Sequence, residues 1–209
     1  MRRKQLLPLL ALVLSLIGGP VRTAFAVSLF DIVIDTNALS GVAAQLAFDL
    51  IDGDLTVNNT ATISNFSTDG TLGTASSSGG VTGTLPGTVT IADTEFFNEL
   101  LQPLTLGSII SFTLALTENF AGIPDQFSLF LLDDVGSPLF STTDPLGTDA
   151  LFVVDITGAA FGDFQAFSPT SSPAATISAT PVPEPTSLLL LATALASAAV
   201  VRKRKQLGF

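Results

Sequence analysis

Between Val27 and Pro181 this sequence leaves only carboxylates and hydroxyls with which to do chemistry. Cysteine, histidine, tryptophan and tyrosine are missing from the whole chain, and that span also lacks lysine and arginine. A Ser-His-Asp triad, a thiolate nucleophile, a Schiff-base lysine, an arginine clamp and a His- or Cys-based zinc site are therefore excluded. What remains is oxygen. Asp49, Asp52 and Asp54 frame a turn around Gly53 whose carboxylates and carbonyls suit a hard cation such as calcium. Asp133 and Asp134 are a second source of such ligands. The spacing is not that of an EF-hand loop, and solvated turn aspartates are the alternative reading. Paired carboxylates can also act as acid and base in glycoside hydrolysis. With this many acids no single pair stands out, and the flat, polar-edged Trp and Tyr platforms of sugar-handling sites are absent. A non-enzymatic protein is expected, with no catalytic residue and no cofactor beyond calcium.

The charges are segregated. All eight basic residues, Arg2, Arg3, Lys4, Arg22, Arg202, Lys203, Arg204 and Lys205, lie outside the span, which holds 17 of the 18 acidic ones. A domain so composed cannot neutralise phosphates, which excludes nucleic acid as a partner. Anionic lipid headgroups repel it. Without a cation no internal salt bridge can form, so its acids have to be solvated, accept hydrogen bonds or hold metal.

The elements that must position these acids have a period of two. Phe30, Ile32 and Ile34 alternate with polar or smaller neighbours, as do Leu46, Phe48 and Leu50, Ala61 and Ile63, and Val89 and Ile91. The same holds for Ile110, Phe112, Leu114 and Leu116, for Phe127, Leu129 and Leu131, and for Phe152, Val154 and Ile156. Turn chemistry separates the runs at Asp52-Gly53-Asp54, Asp69-Gly70, Ser78-Gly79-Gly80, Pro86-Gly87, Asp133-Asp134-Val135-Gly136 and Asp144-Pro145. Many short alternating strands with little helix predict an all-β fold, an antiparallel, jelly-roll-like β-sandwich. The span's phenylalanines are expected in its core. Helical spacing of Phe96, Phe97, Leu100 and Leu101 predicts one helical turn over Thr94 to Leu101, with Thr94 as cap. Residues 71–88 read as loop or a weak strand pair, and Ala175 to Ala179 as a last short strand. Thr180 to Pro185 then reads as a stiff extended linker. Asn58-Asn59-Thr60 and Asn65-Phe66-Ser67 match the N-glycosylation pattern and read as turn or strand-edge residues.

Both ends are of another kind. Arg2, Arg3 and Lys4, the apolar stretch Leu6 to Ile17 and the small residues Ala24 and Ala26 form a secretory signal peptide over residues 1–26, cleaved after Ala26 by the secretion machinery. Thr186 to Val201 is uncharged and free of helix breakers. As a helix it covers about 24 Å, and snorkelling Arg202 and Lys203 extend it toward the roughly 30 Å of a bilayer core. The block Arg202, Lys203, Arg204, Lys205 stays cytoplasmic, so residues 27–180 face outward as one exported domain.

Val182, Pro183, Glu184 and Pro185, followed by that apolar run and the basic block, resemble the PEP-CTERM sorting signal of bacterial surface and exopolysaccharide-associated proteins. The resemblance covers residues 181–209. It implies transient anchoring in the inner membrane, cutting near the Pro-Glu-Pro by an exosortase-type enzyme, and a destination at the cell surface or in the biofilm matrix, with surface polysaccharide as a partner. A calcium-dependent adhesive or glycan-binding module is the first alternative, and a carboxylate-based hydrolase the second.

Overall fold

Alternation decides the fold. A computed structural model describes residues 27–182. The expected signal peptide, with Ala24 and Ala26, and the expected tail helix lie outside the described residues, as do Pro183 to Pro185 and Arg202 to Lys205. Thirteen strands run in chain order. They are β1 (Val27–Asp35), β2 (Ala43–Ile51), β3 (Thr60–Thr68), β4 (Thr71–Leu72), β5 (Ser76–Ser78), β6 (Gly80–Gly83), β7 (Val89–Ala92), β8 (Phe97–Thr105), β9 (Ile109–Thr117), β10 (Asp125–Leu132), β11 (Phe152–Ile156), β12 (Asp163–Ala166) and β13 (Thr176–Val182). Among the described residues the sole helical element is a 3-10 turn at Asn37–Leu39. Every strand pairing is antiparallel.

The strands form two sheets. One has six strands in the order β13-β1-β9-β3-β7-β6; the other has seven, β12-β11-β10-β2-β8-β4, with β5 also on β8. Every apolar row named from the alternation is buried, from Phe30, Ile32 and Ile34 to Phe152, Val154 and Ile156. These rows meet in one core drawn from both sheets. Aromatic contacts bridge the layers: Phe48 of β2 lies edge-on to Phe112 of β9 with ring centroids 5.4 Å apart, and Phe30 of β1 to Phe152 of β11 at 5.5 Å. The edge-to-face geometry sets the positive rim of one ring against the negative face of the other. A bulge in β3 interrupts its register between Ser64 and Ser67. Asn65 takes φ 53° there, a left-handed conformation asparagine tolerates. The extra residue turns Phe66 inward to stack on Phe112 at 6.2 Å.

Three expectations are corrected. Thr94 to Leu101 is not a helical turn, because β8 starts at Phe97. Its inward row is Asn98, Leu100, Gln102 and Leu104, so two polar side chains occupy core positions and disguise the period of two. They are satisfied there. Asn98 accepts the N–H groups of Gly80 and Glu95 and donates to the carbonyls of Leu50 and Glu95, while Gln102 donates to those of Gly73 and Pro103. Second, the phenylalanines are divided. Phe30, Phe48, Phe66, Phe112, Phe127, Phe140, Phe152 and Phe167 are buried, whereas Phe96, Phe97, Phe120 and Phe164 are exposed. Third, the linker does not start at Thr180. The last strand continues through Pro181 and Val182, which face Phe30 and Leu29 across the pair. Pro181 fits because β13 is an edge strand, where a missing N–H can face away from the sheet.

The bridging rings set the stability of the two layers. Phe48→Ala removes a fully buried ring at the middle of the interface and should cost about 3–5 kcal/mol, read from chemical denaturation. Phe96→Ala, at an exposed ring, should change stability by less than about 0.5 kcal/mol.

Candidate functional site

One group of acids gathers at the end of the stack where β2 and β7 finish and β3, β8 and β10 begin. Alternation along β2 separates the first three candidates. Asp52 is buried just past the strand, whereas Asp49 stands on the outer face of the sheet between Glu99 of β8 and Ser128 of β10. Asp49 therefore does not join Asp52 and Asp54. Asp125, at the start of β10, does. One carboxylate oxygen from each of Asp52, Asp54 and Asp125 lies within 4.8 Å of the others.

The surrounding loops hold this arrangement through backbone donors. Asp52 accepts the N–H of Leu55, Asp54 that of Thr56, and Asp125 that of Gly53 at 2.8 Å. Gly53 packs so closely on the 123–124 turn that a Cβ there would lie 2.1 Å from the Pro124 carbonyl oxygen. Behind the cluster sits Asn59, almost wholly buried. Its amide donates to Asp125 and to the Asn119 carbonyl, and its Oδ1 accepts from Thr117 and from Asn119 N–H. Asp93, fully buried, accepts the N–H groups of Asn58 and Asn59. The Asn58-Asn59 pair is thus a structural knot joining three connections, while Asn65 is exposed on the bulge. Asp125, Asp93 and Asn59 carry no local sign of this role. Pairing across 34 to 66 residues of sequence brings them together.

Three carboxylates in such proximity repel one another. Burial raises the Asp125 carboxyl above its ordinary value; the Asn59 amide and Gly53 N–H pull it down, and Asp54 and Asp93 raise it further. The lone pairs these donors leave free suit a divalent, oxygen-seeking cation. Asp133 is engaged elsewhere, accepting the N–H groups of Val135 and Ser137 within its own turn. Asp134 lines a separate hollow of about 400 Å³ with Ala43, Gln45, Leu72, Gly73 and Pro103.

Two further acids are buried at a cost. The Asp49 carboxyl, with Oδ1 enclosed and unpartnered, is pushed up to about 7 by burial and by the neighbouring Glu99 charge. Burial also raises Glu99. Both Glu118 oxygens are enclosed without a well-formed hydrogen bond. Burial raises that carboxyl, and the nearby Ser28 hydroxyl and Gly158 N–H offset part of the rise.

The other end of chemical interest is the chain's exit. Val182 closes β13, and Pro183, Glu184 and Pro185 follow directly. Residues 181–205 match the family model of the PEP-CTERM protein-sorting motif. The chain carries a PEP-CTERM sorting signal. That motif indicates an exported protein and implies processing by an exosortase-type enzyme. The PEP-CTERM match begins inside the fold, since Pro181 and Val182 are already paired with β1. No curated protein and no solved structure matches the chain.

The Asp49 environment makes stability fall with rising pH. The folded protein keeps that proton up to about pH 7, while the unfolded chain gives it up near 3.8. Stability from this group is complete below pH 3.8 and lost as pH climbs to about 7, with a slope of up to about 1.4 kcal/mol per pH unit. Thermal melts between pH 4 and 8 should show the decline. Asp49→Asn should flatten it and raise the midpoint at pH 8; an unchanged slope would show that Asp49 titrates normally.

Proposed function

We propose that the chain is a non-enzymatic component of the cell surface or exopolysaccharide matrix. A helix over residues 186–201 anchors it transiently in the inner membrane, with Arg202 to Lys205 on the cytoplasmic side. An exosortase then releases or transfers the domain. The observation that carries this reading is the sorting motif continuing without a break out of a folded edge strand, so that the tail serves to deliver this one domain. The strand order supports a jelly-roll-like sandwich, with β1-β9-β3-β7 in one layer and β2-β8-β4 in the other.

Mass spectrometry of the mature protein from its native cell tests this directly. The expected product begins at Val27 and lacks Arg202 to Lys205. A product still carrying those four residues is a plain tail-anchored protein, and the sorting reading fails.

A second reading, a calcium-dependent adhesive or glycan-binding module, is favoured by the convergence of Asp52, Asp54 and Asp125 in a domain with no basic side chain to neutralise them. Calcium at 100 times its dissociation constant should stabilise the fold by about 2.7 kcal/mol. Asp54→Asn should remove most of that gain and leave the melt in chelator unchanged. A melt insensitive to calcium removes this reading.

A further inference from the structure

The chain enters and leaves the fold at one place. β1 begins at Val27, and β13, its antiparallel neighbour, ends at Val182 opposite Leu29. The connections 52–59, 93–96 and 118–124 lie at that same end, since Ile51, Ala92 and Thr117 close their strands there. These loops carry Leu55, Val57, Phe96, Phe120 and Ile123, all large, apolar and exposed by 49 to 74%. The three connections adjoin one another: Asp52 N–H donates to the Phe96 carbonyl, and Ile123 packs on Gly53. Their five exposed apolar side chains are therefore gathered at one end of the stack, and apolar surface gathered in one place marks an interaction face.

What covers this face follows from the length of chain beyond it. Three residues, Pro183, Glu184 and Pro185, separate Val182 from the uncharged run that starts at Thr186. Fully extended they reach about 10 Å. The headgroup layer on each side of a bilayer core is itself about 5–8 Å thick. A tail seated in the membrane holds this end of the stack within a few ångströms of the headgroup layer.

We infer that the end bearing Leu55, Val57, Phe96, Phe120 and Ile123 is a lipid-docking face, held against the headgroup–acyl boundary for as long as the tail is uncut. The inference rests on the membrane-tail reading of residues 186–201. Asp52, Asp54, Asp93 and Asp125 lie at the same end, so the surface it fits is zwitterionic rather than anionic. Apolar tips of this size embed in the interface while the partly exposed Asp54 stays in the wet headgroup layer.

The absence of tryptophan and tyrosine provides a clean test. The full chain is reconstituted in phosphatidylcholine vesicles containing a doxyl-labelled lipid, with one tryptophan introduced at a time. Phe96→Trp reports the proposed face, Leu190→Trp the tail, and Val135→Trp an exposed loop at the opposite end of the stack. The expected result is blue-shifted emission and at least about twofold quenching for Phe96→Trp and Leu190→Trp, with Val135→Trp unquenched. Quenching of Leu190→Trp with Phe96→Trp emitting like Val135→Trp would overturn the docking face and leave the tail in place. Quenching of neither would remove the tail reading and the docking face together.

Discussion

A domain without a single positive side chain has to neutralise its acids by geometry. Backbone N–H groups take the place of lysine and arginine. Asp93 receives two of them in full burial, Asp133 and Asp144 draw theirs from their own turns, and Asp69 receives those of Ser108 and Ile109. Each such bond consumes a donor that a loop would otherwise give to water, so the loops are pinned by the acids they contain. Where donors run out, as at Asp49 and Glu118, burial raises the carboxyl above its ordinary value instead. The price is a fold that tightens on mild acidification.

The strand pattern was legible because the two layers are packed by aliphatic and aromatic side chains at every second position, and seven such rows are visible by eye. β8 was not, because Asn98 and Gln102 occupy inward positions and only the partners across the sheet reveal that they are satisfied. The bulge at Asn65 was hidden for the opposite reason, a single extra residue that periodicity averages away. At the acidic end, Asp52 and Asp54 announced themselves through a glycine turn. Asp125 could not, because nothing in Pro124-Asp125-Gln126 distinguishes it from a strand start, and only the register of β10 on β2 carries it to the cluster. Asp49 misled because its nearness in sequence takes no account of the two faces of a strand.

The free margins of the two sheets are each blunted. β6 is short and glycine-flanked, β4 and β5 together make only a broken edge, β12 is exposed along its whole length, and β13 carries Pro181. Short, interrupted or proline-bearing edges resist the edge-to-edge pairing that an exported, cation-free sheet protein would otherwise invite.

The pairing of β1 with β13 ties the earliest part of the domain to the latest. Because a chain is made and exported from its N-terminus, the outer flank of β1 waits through the passage of about 140 residues before its neighbour arrives. A truncated or stalled product keeps that flank open. The assembled state is thereby a certificate that translation and translocation have reached the delivery signal, since the strand that completes the sheet is the one from which that signal emerges.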